Sequence, residues 1–318
     1  MVMAQSLFRT LRQLHPHCPL DVVAPQWSLP LLARMPEVRA GVVMPIGHGR
    51  FALKERYQLG KSLAATGYQK AIVLPNSWKS ALVPFFAGIP QRIGYLGELR
   101  WGLLTEARPL DKKRLPRTVD RFVALANPAN AQPQASLPLP ALQANPDMGE
   151  KTMERLGLLP DSLILCPGAE YGPAKQWPLH HFRQLAISWQ NKGSQVWVLG
   201  SEKEAPAGEE ISQGLSHVVN LAGRTSLEEA VDLLALSIAV VSNDSGLMHV
   251  AAALDKPLVA LYGSSDPSFT PPLGQRSAIL RLGLPCSPCF KRVCPLGHLD
   301  CLEKISPEMV LNRLESLL

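Results

Sequence analysis

The stretch Val240-Val241-Ser242-Asn243-Asp244-Ser245-Gly246-Leu247-Met248-His249 combines residue types that together make an anion seat. An apolar strand runs into Asn-Asp-Ser-Gly, and a helix then opens with an alanine-rich turn, Ala251 to Ala253. The start of a helix carries free backbone N–H groups and the positive end of the helix dipole. Ser245 is a favoured N-cap type, and Gly246 lets a ligand approach the backbone. His249 stands four residues after Ser245, on the same helical face. The chemistry that suits this set is phosphate binding. Taken alone, the pattern also fits an ordinary capped helix.

Two further loops carry polar residues after apolar runs. One is Pro167-Gly168-Ala169-Glu170-Tyr171-Gly172-Pro173-Ala174-Lys175-Gln176-Trp177-Pro178, and the other is Gly200-Ser201-Glu202-Lys203-Glu204. Lys175 is a cation suited to a diphosphate, and Glu204 an acid placed after a second strand, where ribose hydroxyls are commonly held. Each of these has a plainer reading, as a solvated loop lysine or an exposed acid. Their agreement on one sheet edge favours a site. No Gly-x-Gly-x-x-Gly follows a strand, and neither a P-loop nor a Gly-x-Ser-x-Gly elbow occurs. Dinucleotide redox chemistry, P-loop hydrolysis and serine hydrolysis lose support accordingly.

The elements that must position these loops alternate. Met3, Leu7, Leu11 and Leu14 make a helical stripe. Residues 20–25, 41–44 and 71–75 read as strands, with a helix over 50–66. Strands follow at 163–166, 195–199, 218–221, 238–241 and 258–262. Thr225 and Glu228 form a capping box for a helix over 226–236. Ser306 and Pro307 open a last helix with the apolar face Val310, Leu311, Leu314 and Leu318. Such alternation predicts an α/β fold of two Rossmann-like doubly wound domains facing across a cleft, at 1–147 and 148–318. Five prolines between 128 and 146 (Pro128, Pro133, Pro138, Pro140, Pro146) read as the linker. A domain of this kind normally opens with a strand. This chain opens with a helix, which places the expected first strand and its loop upstream of Met1.

Composition is that of a globular protein: 46% apolar and 18% charged over 318 residues. No run is long enough to span a membrane, and the N-terminus lacks the features of a secretory leader, so the expected location is cytoplasmic. Residues 1–147 hold 18 Lys and Arg against 8 Asp and Glu, whereas 148–318 hold 14 against 18. A basic first half points to an anionic partner for that half. Of six cysteines, Cys18 and Cys166 read as isolated fillers. Cys286, Cys289, Cys294 and Cys301 have the thiol count of a structural zinc site but not the spacing of a common ribbon or finger. Reduced thiols in a tight loop are the favoured reading, with a metal or disulfide as the alternative.

Three segments of the second half, 167–178, 243–253 and Leu261-Tyr262-Gly263-Ser264-Ser265-Asp266-Pro267, resemble the ADP-heptose:lipopolysaccharide heptosyltransferases, glycosyltransferase family 9. Within that family the heptosyltransferase II branch is most similar. In the first half, 74–81 and 88–95 resemble the acceptor domain of the same enzymes, so the resemblance spans nearly the whole chain. It implies a GT-B fold and inverting transfer of L-glycero-D-manno-heptose from ADP-heptose to the heptosyl-Kdo2-lipid A inner core. The enzyme would touch the inner face of the inner membrane, with no cofactor and no nucleic acid.

Carried onto this chain, the resemblance assigns the donor's phosphates to Lys175. Asp244, Ser245, Gly246 and His249 would line the sugar-diphosphate site, and Glu204, beside Gly200 and Ser201, would meet the ribose. Asn76, Lys79 and Arg92 are the acceptor candidates. The family's general base is an aspartate just before the first helix, upstream of Met1 in this numbering, so the resemblance implies impaired transfer by the chain as written. The rival readings are a sugar-nucleotide 2-epimerase of the same architecture and a basic nucleic-acid-binding protein. The basic half argues against the epimerase. The absence of a nucleic-acid-binding motif or interleaved aromatics argues against the other.

Overall fold

The structure, a computed structural model, describes residues 1–47, 49–132 and 136–318; Pro133 of the expected linker lies outside the described residues. The chain forms two compact units that divide between Pro138 and Leu139. Pro146 is not linker. It is the first residue of the helix Pro146–Leu156, whose N-cap is Asn145. Proline suits that position because its missing N–H has no partner to lose there.

The first unit carries β1 (Asp21–Ala24), β2 (Ala40–Val43), β3 (Lys70–Val73), β4 (Gln91–Tyr95) and β5 (Glu106–Arg108). They form two separate parallel sheets, β1-β2 and β3-β4-β5. The helix expected over 50–66 is confined to Leu53–Ala64. It lies close to the helix Leu82–Phe86, because a Cβ on Gly60 would stand 2.5 Å from Phe86 Cβ. Of the first apolar stripe, Leu7 is buried, but Leu14 ends its helix facing solvent.

In the second unit, β6 (Leu163–Cys166), β7 (Val196–Val198), β8 (Val218–Asn220), β9 (Ala239–Asn243), β10 (Leu258–Leu261) and β11 (Ser277–Leu280) form one parallel sheet. Its order is β8-β7-β6-β9-β10-β11. Strands β6, β7, β9 and β10 are buried throughout. That is why they read as unbroken apolar runs: helices cover both faces of a doubly wound sheet. Consecutive strands run one way from β6 to β8 and the other way from β9 to β11. The crevice at the carboxyl ends of β6 and β9 is therefore the topological switch point, where such sheets bind ligands.

Two local expectations shift. The capping box is Ser226 with Glu229, not Thr225 with Glu228. Glu229 N donates to Ser226 Oγ at 3.2 Å, and Ser226 N donates to Glu229 Oε2 at 2.8 Å. The doublets Thr225-Ser226 and Glu228-Glu229 make both registers read alike in sequence. The last helix, Pro307–Glu315, is capped by Ser306 as expected and buries Val310 and Leu314, but Leu318 lies beyond it and is exposed.

Candidate active site

Asn243, the last residue of β9, closes the switch point. Its Nδ2 donates to Pro167 O at 2.8 Å, and its Oδ1 accepts from Trp177 N at 3.0 Å. One buried amide thus fixes both ends of the loop after β6. Trp177, itself fully buried, anchors the loop further by donating from Nε1 to Ile305 O at 2.8 Å. The loop can only project what lies between these anchors, and that includes Lys175.

Lys175 ends the short turn Pro173–Lys175. Gly172 precedes it with φ +148°, and a Cβ there would stand 2.6 Å from Arg292 O. Ala174 N donates to that same carbonyl at 3.0 Å. The Lys175 ammonium reaches Asp244 Oδ2 at 2.5 Å, with both side chains largely shielded from solvent. It also lies 5.2 Å from the centre of the Tyr171 ring, and the Arg292 guanidinium sits 5.4 Å from the same ring. Tyr171 is held by donating its phenol to Phe290 O at 2.9 Å. Two cations therefore lie against one aromatic ring beside the crevice.

The helix Gly246–Ala253 starts directly after Asp244 and Ser245. Ser245 is the N-cap residue with extended backbone, yet its hydroxyl makes no cap bond. It lies 3.1 Å from Ser242 Oγ instead. The expected cap is therefore filled in position but not in chemistry. The N-cap side chain thus offers the first-turn N–H groups no acceptor, which is the state an incoming anion needs. A Cβ on Gly246 would meet nothing within 4 Å, so this glycine leaves open space over the helix mouth.

One turn on, His249 Nδ1 is buried and has no hydrogen-bond partner. Burial pushes the imidazole down to about 4, so it is neutral at physiological pH and can accept or donate one hydrogen bond. The loop after β10 adds two more buried hydroxyls without partners, Ser264 and Ser265. Orphaned buried polar atoms at a sheet's carboxyl edge are what a polar ligand would satisfy. Their types were visible in Gly263-Ser264-Ser265, after a strand like the other two loops. Tyr171 and Arg292 gave no signal, since 121 positions part them in the sequence.

Glu204 is less free than its sequence position suggested. Its Oε2 accepts from Ser201 N at 2.6 Å and from Ser201 Oγ at 3.0 Å, making a capping box over Glu202–Glu204. The carboxylate also lies over Gly168, where a Cβ would stand 1.8 Å from Oε1, and over Gly200, where it would stand 2.8 Å from Oε2. Gly200, Ser201 and Glu204 thus pack against the loop after β6, with one carboxylate oxygen already engaged.

The three acceptor candidates divide. Asn76 and Lys79 follow the carboxyl end of β3, and Asn76 O lies close enough to Gly97 to leave no room for a Cβ there. Arg92 pairs in register with Ala71, toward the opposite end of the same sheet. Its Nε donates to Leu103 O at 2.6 Å, its Nη1 to Ile89 O at 2.5 Å, and its guanidinium lies over Phe85. Arg92 therefore ties its own strand to neighbouring loops and does not join Asn76 and Lys79. Arg100, fully buried, does reach the carboxyl edge, donating to Pro75 O at 2.7 Å and to Ser80 Oγ at 3.2 Å.

Cys286, Cys289, Cys294 and Cys301 are free thiols. Tetrahedral zinc with Zn–S near 2.3 Å requires sulfurs within about 4 Å of one another. Among the described residues only His180, His181 and Glu303 bring three candidate ligand atoms within 4.8 Å, so the four sulfurs do not converge on a metal position. Backbone N–H groups of residues 296–299, Leu299 foremost, hold Cys294 below the usual thiol range, while burial pushes Cys301 up.

Glycosyltransferase family 9 (heptosyltransferase) matches residues 56–300. Lipopolysaccharide heptosyltransferase 2 of Salmonella typhimurium is 48% identical over 330 residues, covering 100% of this chain and 95% of the relative. The Escherichia coli K12 protein of the same description is 47% identical with the same coverage. The solved structure of E. coli ADP-heptose LPS heptosyltransferase II superposes with a TM-score of 0.89 at 44% identity, covering 100% of this chain and 94% of that one.

Proposed function

This chain belongs to glycosyltransferase family 9, the heptosyltransferases, and on that premise we propose that it moves heptose from ADP-heptose onto the heptosyl-Kdo2-lipid A inner core of lipopolysaccharide. The fold is α/β of the GT-B type, and the activity is that of a glycosyltransferase. The 2-epimerase and nucleic-acid readings give way to family membership.

The observation that carries the donor assignment is the Lys175–Asp244 pair at the mouth of the helix Gly246–Ala253, whose opening N–H groups have no side-chain cap. In our reading the diphosphate of the donor lies across that mouth. Lys175 and the first-turn N–H groups hold its oxygens, and Arg292 adds charge behind Tyr171. Ser264, Ser265 and neutral His249 offer hydrogen bonds to the sugar-diphosphate. Asp244 accepts from heptose hydroxyls once Lys175 turns to the phosphate. Glu204 offers its remaining oxygen to the ribose.

Transfer breaks the bond between the anomeric carbon and the diphosphate oxygen, and the electron pair leaves with ADP. The negative charge that develops there falls on groups already positioned to meet it, so little reorganisation is needed during the step. The acceptor hydroxyl attacks the opposite face of the anomeric carbon, inverting it, and its proton passes to solvent as the new bond forms.

The N-terminal half is basic, which suits a phosphorylated lipid. Asn76 and Lys79 are the acceptor contacts we retain. Exposed Trp27, Phe51, Trp78 and Trp101 in the same unit suit contact with a bilayer interface. No helix among the described residues is long and apolar enough to cross a membrane. We place the protein peripherally at the cytoplasmic face of the inner membrane.

The test is direct. ADP should raise the melting temperature saturably while oligonucleotides leave it unchanged. ADP-heptose with heptosyl-Kdo2-lipid A should release ADP and add one heptose. No stabilisation by ADP together with no transfer would refute the assignment.

A further inference from the structure

His180 and His181 stand in the first turn of the helix Leu179–Gln190, and Glu303 ends the short helix Asp300–Glu303. More than a hundred residues part them in sequence. Yet one ring nitrogen of each histidine and one carboxylate oxygen of Glu303 lie within 4.8 Å of one another. His180 Nε2 is 3.4 Å from Glu303 Oε1. The two imidazoles meet with ring centres 4.2 Å apart at 64°. Adjacent residues on a helix ordinarily point apart, so this convergence is a property of the cluster and not of helix geometry. His181 Nδ1 is buried and has no hydrogen-bond partner. A buried ring nitrogen with nothing to bond is a group that an incoming ligand would satisfy.

The two segments are held at this spacing from within. Trp177, shortly before His180, donates from Nε1 to Ile305 O, just after Glu303, at 2.8 Å. Its backbone N–H is in turn held by Asn243 Oδ1. The fully buried Trp177 ring lies 5.3 Å from that of His181 and meets Phe182 edge-on at 4.8 Å. The cluster therefore rests on a fixed floor, while its outer side is open. The side chains of His180 and Glu303 are 64% and 45% exposed. An open side admits an ion and leaves room for water to complete its coordination.

We propose that His180, His181 and Glu303 bind one divalent ion of the zinc class, which staples the start of the helix Leu179–Gln190 to the segment 300–305. Two imidazole nitrogens and one carboxylate oxygen suit zinc, cobalt or nickel, whereas magnesium and calcium call for oxygen ligands. Three protein ligands leave the fourth position to water. Tetrahedral zinc with bonds near 2.1 Å sets its ligand atoms roughly 3.4 Å apart, the spacing that His180 and Glu303 already show. The other nitrogen closes on them by side-chain rotation. A plain ion pair between His180 and Glu303 would leave His181 Nδ1 without a partner. The ion's role is structural, and none of the donor-binding residues proposed above is a ligand to it.

The test uses the full chain at neutral pH with its thiols reduced, titrated with zinc and, separately, with cobalt. One zinc per chain should bind saturably and raise the melting temperature. At free zinc about ten times the dissociation constant, exchange of the Trp177 indole N–H should slow about tenfold, because opening that bond would break the staple. Zinc should also shift the ring signals of both His180 and His181 in NMR spectra. His180→Gln and Glu303→Gln alter exposed groups, so each should keep the metal-free melting temperature within a few degrees. Each should lose at least about tenfold in zinc affinity. Bound cobalt should show weak visible bands and no thiolate charge-transfer band, as nitrogen and oxygen ligands require. No saturable binding overturns the proposal, as does binding that both variants leave unchanged. A thiolate band would hand the ion to the cysteines, and an unmoved His181 ring signal would remove that ligand; either result also overturns it. ADP titration of the same samples reads the donor site, so failure of that assignment would be seen separately.

Discussion

Lys175 Nζ stands 2.5 Å from Asp244 Oδ2, so the cation we propose for the donor's diphosphate is already neutralised by a carboxylate. On that proposal a diphosphate draws the ammonium away, and the freed carboxylate then needs new donors, for which sugar hydroxyls are suited. The two residues should therefore separate ADP from ADP-heptose. Lys175→Ala should lower kcat/KM at least about 100-fold and weaken ADP as well. Asp244→Asn removes the competitor, so ADP should bind as tightly or a few-fold more tightly while heptose transfer falls. Calorimetry with ADP beside a transfer assay decides; a parallel loss of both in Asp244→Asn would show that the carboxylate serves the diphosphate itself.

Gly246 offers a cleaner probe of the helix mouth. Its added Cβ would touch nothing in the ligand-free fold, and alanine is a better helix former than glycine by up to about 1 kcal/mol. Gly246→Ala should thus melt at the same temperature or higher, yet lose roughly tenfold in ADP affinity by filling the space above the N–H groups. Thermal melting with and without ADP measures both. Equal ADP affinity would move the phosphate away from this mouth.

His249 carries a pH signature. Burial lowers its pKa from 6.5 to about 4, so the unfolded chain binds this proton more readily than the folded one. Stability rises with pH wherever the unfolded state holds more protons. The contribution is therefore whole above pH 6.5, shrinks as pH falls toward about 4, and has a slope of at most about 1.4 kcal/mol per pH unit in between. His249→Asn should flatten that slope. Urea unfolding of both proteins between pH 4 and 8, taken as a difference, isolates it. Above pH 6.5 ADP affinity should owe no pH dependence to this imidazole.

Much of this was legible because the determinants are local. A strand, a polar loop and a helix start are consecutive in Val240 to Ala253, so spacing alone reveals them. Lys175 and Glu204 follow strands in the same way. What sequence missed depends on residues far apart. The amide of Asn243 finds Pro167 and Trp177 only after β6 and β9 become neighbours. Arg292 meets Tyr171 through a loop more than a hundred residues on. The cap at Ser226 was misplaced by one because two adjacent registers satisfy the same rule.

Arg92 and Lys79 were grouped by charge, and their surroundings part them. The Arg92 guanidinium bridges the carbonyls of Leu103 and Ile89, which a lysine, with its single ammonium, cannot reproduce. Losing charge-assisted bonds of this kind costs about 2 kcal/mol. Lys79 is half-buried near the carboxyl end of β3; its carbonyl accepts from Arg56 Nη1 at 3.1 Å and from Leu82 N, and its ammonium has no partner among the described residues. Arg92→Ala should therefore lower stability by about 2 kcal/mol and leave the acceptor KM unchanged below the new melting temperature. Lys79→Ala should leave stability within about 0.5 kcal/mol, as surface changes usually do, while raising the acceptor KM several-fold with kcat little altered. Urea unfolding and acceptor titrations on the two variants measure each quantity. A raised KM in Arg92→Ala at full stability would return Arg92 to the acceptor surface.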